Sequence, residues 1–165
     1  QQHGCNFICA VPNNLYGEND NFDLENSHVI PALTRKIWEA KINNIPFVDV
    51  WGDGSPLREF TYSSDIAKIL MFLLKNYSEP EPINIGATAE YSIVKVVSFL
   101  CEFLEYEGTI RWNKFMPNGQ QRKPSSNRKL LDLGWNEREY TTLKEGLKKT
   151  CDWFMMNYPN VRGVK

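Results

Sequence analysis

Cysteine and histidine are scarce in this sequence, which has four cysteines and two histidines in 165 residues. The cysteines form no Cys-x-x-Cys pair and lack the dense spacing of a secreted disulfide framework. His3 and His28 do not complete a zinc-binding pattern with them. The sequence therefore predicts no metal site and is typical of a reducing compartment, which we expect to be the cytoplasm.

Long apolar runs and an excess of one charge are also missing. A membrane-spanning helix needs roughly 18–20 apolar residues, whereas the run from Ile69 to Leu74 is bounded by Lys68 and Lys75. The formal net charge is −1, so the chain has no basic field that would favour nucleic acid or an anionic membrane. We expect neither partner.

The common nucleotide-binding and catalytic motifs are either absent or occur in an unsuitable structural context. The dinucleotide fingerprint is absent, because Leu57 stands where Gly52-x-Gly54 would need a third glycine. No P-loop or Gly-x-Ser-x-Gly motif is present. Two Tyr-x-x-x-Lys spacings, Tyr91–Lys95 and Tyr140–Lys144, place the tyrosine ahead of the predicted helix. Composition and short motifs therefore specify no reaction.

Extended and helical patterns alternate along the chain, which predicts an α/β fold with at least part of a parallel sheet. Strands are predicted at Phe7–Val11, Phe47–Trp51, Leu57–Tyr62, Ile83–Ile85 and Thr109–Trp112. Helices are predicted to begin near Ser27, after a cap at Ser63 or Ser64, after Ser92, and at a capping box from Thr142 to Glu145. The second helix is predicted to bury Ile66, Ile69, Leu70, Leu73 and Leu74.

The segment from Arg111 to Lys129 is basic, with six lysines and arginines and no acidic residue. Pro117, Gly119 and Pro124 indicate that much of it is a loop. A phosphate-facing or solvated loop accounts for this charge better than nucleic-acid binding, which would call for interleaved aromatic repeats.

Longer segments are more specific: VPNNLYGENDNFDLENSHVIPAL at 11–33, VWGDGSPLREFTYSSDIA at 50–67 and INIG at 83–86. They resemble the carboxyl half of extended short-chain dehydrogenase/reductases, and the similarity continues through a Pro-x-Gly-x-x-Arg-Lys loop at 117–123. The run from Asn21 to Val29 is similar to the branch of that family that epimerises and reduces GDP-4-keto-6-deoxy-D-mannose to GDP-L-fucose.

The resemblance implies a two-part enzyme, in which a Rossmann domain binds NADP(H) and a smaller carboxyl-terminal part closes over a GDP-sugar. We expect residues 1–165 to form a single unit made of that substrate-binding part and the last Rossmann elements. The family's glycine-rich loop, its catalytic Ser, Tyr and Lys, and its epimerisation Cys would lie upstream. The resemblance implies that this chain alone is inactive and that the intact protein is a homodimer.

The resemblance assigns an acid/base role to His28, beside the keto sugar, and implies a place along the nicotinamide for Pro12, Asn13, Asn14, Leu15 and His28. Carbons next to a ketone lose protons as enolates, and imidazoles in general titrate near neutral pH. The alternative is a histidine at a helix start that only hydrogen-bonds its loop.

The resemblance also implies that Arg58 binds the nucleotide diphosphate, since a guanidinium presents a planar fork of donors. The alternative is a surface ion pair with Glu59 or Asp65. Lys36 occupies a position where related enzymes often have Arg, so we expect a phosphate contact by a point charge.

Three further residues are implied in substrate binding. Trp51 corresponds to a residue that lines the nucleotide pocket, and its alternative is a strand aromatic in the core. Asn118 stands where the family loop usually has Asp. The asparagine retains a hydrogen-bonding group and lacks the negative charge. Lys123 belongs to the basic loop and adds a phosphate contact.

Two hypotheses remain at this point. The chain is either the carboxyl-terminal part of an NADP-dependent epimerase/reductase or a non-catalytic module that binds nucleotide sugars or another partner. A glycine-rich βαβ unit and a helix-borne Tyr-x-x-x-Lys upstream would favour the enzyme.

Overall fold

The computed structural model describes residues 2–164, so Gln1 and Lys165 lie outside it. Its strands are β1 (Ala10–Pro12), β2 (Asn14–Tyr16), β3 (Phe47–Trp51), β4 (Leu57–Tyr62), β5 (Ile83–Ile85), β6 (Glu90–Ser92) and β7 (Thr109–Asn113). Its α-helices are α1 (Val29–Ile42), α2 (Ser63–Asn76), α3 (Ile93–Phe103), α4 (Arg128–Asp132) and α5 (Leu143–Asn157), and a short 3-10 helix spans Glu137–Glu139.

Parallel strand pairs dominate the sheets, which confirms the predicted α/β class. β1 pairs with β5, β2 with β4 and β3 with β7, all parallel, and β6 is antiparallel to β4. The chain changes partner at Asn13, because Pro12 lies opposite Ile85 whereas Asn14 lies opposite Phe60. Ligands of open α/β sheets usually bind outside the carboxyl ends of the strands, and the junction at Asn13 lies at the carboxyl end of β1.

The main core lies where α1, α3 and α5 pack on β3 and β4. Its fully buried members include Ile37, Leu100 and Leu147. A second cluster joins α2, β5 and α4 through Ile69, Ile83 and Leu130. The apolar contacts of the main core fix the relative positions of α1, β3 and β4, which carry Lys36, Trp51 and Arg58.

Two predicted helix caps are confirmed. Thr142 Oγ1 accepts the Glu145 N–H at 3.3 Å, while Glu145 Oε2 accepts the Thr142 N–H at 3.1 Å, so the capping box is complete. Ser92 Oγ accepts the Lys95 N–H at 3.2 Å. Helix α1 begins at Val29, two residues after Ser27, with Pro31 in its first turn.

The first predicted strand is wrong at its start. Phe7 donates its N–H to the Cys5 carbonyl at 3.1 Å, which bends the backbone, and its side chain is 82% exposed. Strand β1 instead begins at Ala10 and ends at Pro12, and β2 follows after a single residue. The Pro12-Asn13-Asn14 sequence suggests a strand end, whereas the structure uses it to pass from one strand partner to another.

The buried face predicted for α2 is partly wrong. Leu70 and Leu74 are 41% and 69% exposed, because the apolar cluster under α2 reaches only the side that carries Ile66, Ile69 and Leu73. The predicted serine cap is also wrong, since Tyr62 is the N-cap residue and makes no side-chain cap bond.

Among residues 2–164, no helix is long and apolar enough to cross a bilayer.

Candidate functional site

A cavity of about 640 Å³ opens where β1 passes into β2. It brings together the residues assigned to the nicotinamide side, namely Pro12, Asn13, Asn14, Leu15 and His28. The strand residues arrive through the change of sheet partner at Asn13, and His28 arrives at the start of α1. Their role toward a cofactor remains a prediction.

Hydrogen bonds hold the strand junction in place. Asn13 Nδ2 donates to the Ala87 carbonyl at 2.7 Å, and Asn13 Oδ1 accepts the Thr61 hydroxyl at 2.7 Å. Asn14 Nδ2 donates to the Glu59 carbonyl at 2.7 Å. The wall of this cavity is therefore a fixed surface rather than a free loop.

His28 is the N-cap residue of α1 and is exposed to the cavity. Its carbonyl accepts the Ala32 N–H at 3.1 Å, which begins the helix. Within the described chain its side chain makes no cap hydrogen bond. The backbone therefore fixes the residue while the imidazole remains available to a ligand.

A second cavity, of about 360 Å³, adjoins the first and shares Asn14, Val29 and Phe60 with it. Four of the residues assigned to the substrate line this second cavity, namely Lys36, Trp51, Arg58 and Asn118. They come from α1, β3, β4 and the basic loop. Lys123 lies on the same loop and is exposed, outside the lining of both cavities.

Trp51 offers an open aromatic surface at the end of β3. Its side chain is 60% exposed, so the alternative of a core aromatic is wrong. Lys36 Nζ lies 5.9 Å from the centroid of the Trp51 ring. An aromatic face next to an ammonium group suits a ligand that combines a flat base with negative charge.

Arg58 keeps its charge free of acidic partners. Arg58 Nη1 donates to the Leu57 carbonyl at 2.7 Å, which orients the guanidinium. The carboxylates considered as its partners bind elsewhere, since Glu59 accepts the Ser125 N–H and Asp65 pairs with Lys68. The described residues contain no salt bridge of Arg58, so its alternative as a surface ion pair is wrong.

Asn118 anchors the basic loop to the turn after β3. Its Oδ1 accepts the Asp53 N–H at 2.8 Å. Gly52 has a φ of 76°, and a side chain there would collide with Asn118. Hydrogen bonds from the Ser55 N–H and hydroxyl, followed by the Asn118 contact, lower the pKa of the Asp53 carboxyl.

The first cavity also contains residues that sequence reasoning missed, including Glu18 and Arg162. The Tyr62 hydroxyl donates to Glu18, and burial followed by this bond raises the pKa of Tyr62 above its usual range. The carboxyl-terminal segment reaches the cavity because the Phe22 N–H donates to the Arg162 carbonyl at 2.9 Å. No local pattern in the sequence signals a contact across so many residues.

Candidate metal ligands are dispersed in the described part of the chain, where no group of three or more His, Cys, Asp or Glu side chains comes together. The candidate site consists of two adjoining cavities, one beside a strand junction and one lined by cations and an aromatic ring.

The fold agrees with the comparisons to known proteins. The sequence model of the NAD dependent epimerase/dehydratase family matches residues 1–86, and the chain belongs to this family. It is 45% identical to GDP-L-fucose synthase from Sinorhizobium fredii over 95% of its length and 49% of the relative's. It is also 45% identical to GDP-L-fucose synthase 1 from Arabidopsis thaliana, over 96% of this chain and 49% of that one.

A solved structure shows the same architecture. The GDP-L-fucose synthetase from Naegleria fowleri bound to NADP superposes with a TM-score of 0.90 and 35% identity, over 94% of this chain and 49% of that chain. The chain thus spans about half the length of the relatives that it matches.

Proposed function

We propose that this chain is the carboxyl-terminal, substrate-binding part of an NADP-dependent enzyme that epimerises GDP-4-keto-6-deoxy-D-mannose at the carbons flanking its ketone and reduces the ketone, giving GDP-L-fucose. The observation that carries the proposal is the pair of adjoining cavities, with His28 on one and Arg58, Lys36 and Trp51 on the other. Similarity to GDP-L-fucose synthases over most of the chain supports the same activity.

The second cavity suits the nucleotide. Arg58 and Lys36 supply two positive charges for a diphosphate, and the guanidinium can bind two oxygens at once. Trp51 offers its exposed ring as a stacking surface for the base. Lys123, which is exposed on the same basic loop as Asn118, supplies a further positive charge for the phosphates.

The first cavity suits the keto sugar. Asn14, Val29 and Phe60 line both cavities, so a ligand held by its diphosphate in the second extends its sugar past them toward His28. There the imidazole acts as the acid or base that exchanges protons at the carbons next to the ketone. Holding the sugar at a fixed distance from the imidazole makes this step effectively intramolecular.

The strand junction fits the nicotinamide end of NADPH, which when bound supplies a hydride to the ketone carbon. Pro12 and Leu15 form an apolar part of the wall of the first cavity, and the Asn14 amide supplies a polar group there. The carboxyl ends of strands are the usual ligand-binding edge of α/β sheets. The remainder of the cofactor would be held by an amino-terminal half like that of the relatives. We further propose that the intact protein is a cytoplasmic homodimer.

The test is turnover by the intact protein supplied with GDP-4-keto-6-deoxymannose and NADPH. We expect NADPH to be consumed in proportion to the GDP-L-fucose formed, and UDP-linked sugars to be poor substrates. Tight GDP binding without any NADPH consumption would contradict the enzyme and favour the non-catalytic binding module.

A further inference from the structure

The buried carboxylate of Glu59 lies behind the proposed site, on the other face of β4 from Arg58. Side chains alternate along a strand, and here Arg58 lines the second cavity while Glu59 is 1% exposed. An unpaired charge buried to this degree would be strongly destabilising. Its partners therefore reveal what the residue does.

Those partners come from two separate parts of the chain. Glu59 Oε1 accepts the Ser125 N–H at 2.9 Å, and Glu59 Oε2 accepts the Ser125 hydroxyl at 2.6 Å. Glu59 Oε2 also accepts a hydrogen from Asn13 Nδ2 at 3.4 Å. One carboxylate thus joins the basic loop to the strand junction that lines the first cavity.

The directions of these hydrogen bonds are fixed by their neighbours. The Ala87 carbonyl can only accept, so it faces Asn13 Nδ2 at 2.7 Å, and the Thr61 hydroxyl donates to Asn13 Oδ1 while it accepts the Ala87 N–H at 2.9 Å. Asn13 must therefore turn its amide hydrogens toward Glu59 and the Ala87 carbonyl. Every group that reaches the Glu59 carboxylate is a donor, and only an acceptor with two free oxygens satisfies all of them.

The loop partner matters because Lys123 is held between two anchors. Arg122 Nε donates to both carboxylate oxygens of Glu90 at 2.8 Å on one side of Lys123, and Ser125 binds Glu59 on the other. The Glu90 and Arg122 pair is largely exposed on the arginine side. Exposed pairs contribute little, so the buried Glu59 contact is the stronger of the two.

We propose that Glu59 is a positioning residue, whose carboxylate fixes the basic loop and the Asn13 strand junction relative to each other. It thereby positions Asn118, which lines the second cavity, and Asn13, which lines the first. The ordering of the basic loop follows from the hydrogen bonds of Glu59 described above. The effect on ligand binding rests on the proposed function, with the GDP-sugar as the ligand.

The experiment uses Glu59→Gln in the intact protein, because glutamine keeps the shape and replaces one acceptor oxygen with a donor. The first readout is amide hydrogen exchange without ligand. We expect exchange over residues 121–126 to accelerate by about 10-fold, the factor for one lost charge-assisted hydrogen bond, with exchange in α1, α3 and α5 unchanged. Equal exchange in variant and wild type, or acceleration spread over all helices, would overturn the proposal.

The second readout is GDP-sugar turnover and GDP binding. We expect KM for the GDP-sugar and Kd for GDP to rise by about 10-fold while kcat changes little, because Glu59 lines neither cavity and acts through the residues that it holds in place. Ser125→Ala removes one of the hydrogen bonds from a half-buried loop position and should shift exchange and KM in the same direction by a smaller factor. Glu79→Gln, at an exposed position, is the matched control and should match wild type.

The two proposals fail in different ways. Wild-type protein that neither binds GDP nor turns over the sugar would contradict the proposed function, whatever the loop does. Normal wild-type turnover combined with unchanged KM and exchange in Glu59→Gln would overturn the role of Glu59 alone.

Discussion

Removing the Arg58 guanidinium should weaken GDP binding without unfolding the protein. The side chain is half-buried on the wall of the second cavity and makes its one described hydrogen bond to the adjacent Leu57 carbonyl. Arg58→Ala therefore removes no ion pair from the fold. A charge-assisted hydrogen bond contributes roughly 1.5–3 kcal/mol, which corresponds to about a 10- to 100-fold increase in Kd for GDP.

Arg58→Lys separates charge from shape. Lysine retains the positive charge and lacks the planar fork that binds two phosphate oxygens. The Kd of Arg58→Lys for GDP should therefore fall between those of wild type and Arg58→Ala. Raising the salt concentration should weaken wild-type binding more than binding by Arg58→Ala, because a phosphate contact is screened.

The assay is calorimetric titration of GDP into the intact protein. Arg128→Ala serves as the matched control, since that arginine is 84% exposed on α4 and lies outside both cavities. An Arg58→Ala protein with wild-type Kd, or a control that loses as much affinity, would refute the diphosphate assignment.

Three further results are expected. His28→Gln should abolish deuterium uptake from heavy water into the keto sugar and leave GDP affinity near wild type. Uptake at the wild-type rate in this variant would contradict the acid/base role. Thr142→Ala should lower the free energy of unfolding by about 1 kcal/mol through loss of the α5 cap, a drop in Tm of roughly 2–4 °C by calorimetry, and an unchanged Tm would contradict it. Burial raises the pKa of the Cys151 thiol to about 12, so near neutral pH it stays protonated and a thiol reagent should modify exposed Cys5 and Cys9 but spare Cys151 until unfolding; rapid modification of Cys151 in the folded protein would contradict this.

Local physics made much of the fold predictable. The capping box from Thr142 to Glu145 and the cap at Ser92 follow from chemistry within four residues, and both form. The same local pattern failed for α2, because the exposure of Leu70 and Leu74 depends on which elements cover that helix. Sequence periodicity carries no information about that coverage.

The candidate site also contains residues that the sequence predicts and residues that only tertiary contacts reveal. Residues in long motifs, such as His28 and Arg58, could be proposed from the sequence, and the structure places them on adjoining cavities. The sequence suggests Glu59 only as an ion-pair partner for Arg58, because the residues that it binds in the fold are 46 and 66 positions away. Arg162 was missed because only the tertiary hydrogen bond to Phe22 brings it to the cavity.

The most direct test of the proposed function is the structure of the product formed in heavy water. The intact protein is incubated with GDP-4-keto-6-deoxymannose and NADPH, and the sugar is analysed by NMR. We expect GDP-L-fucose with solvent deuterium at both carbons that flank the former ketone. Recovery of unchanged substrate, or of a reduced sugar with its original configuration and no solvent deuterium, would contradict it.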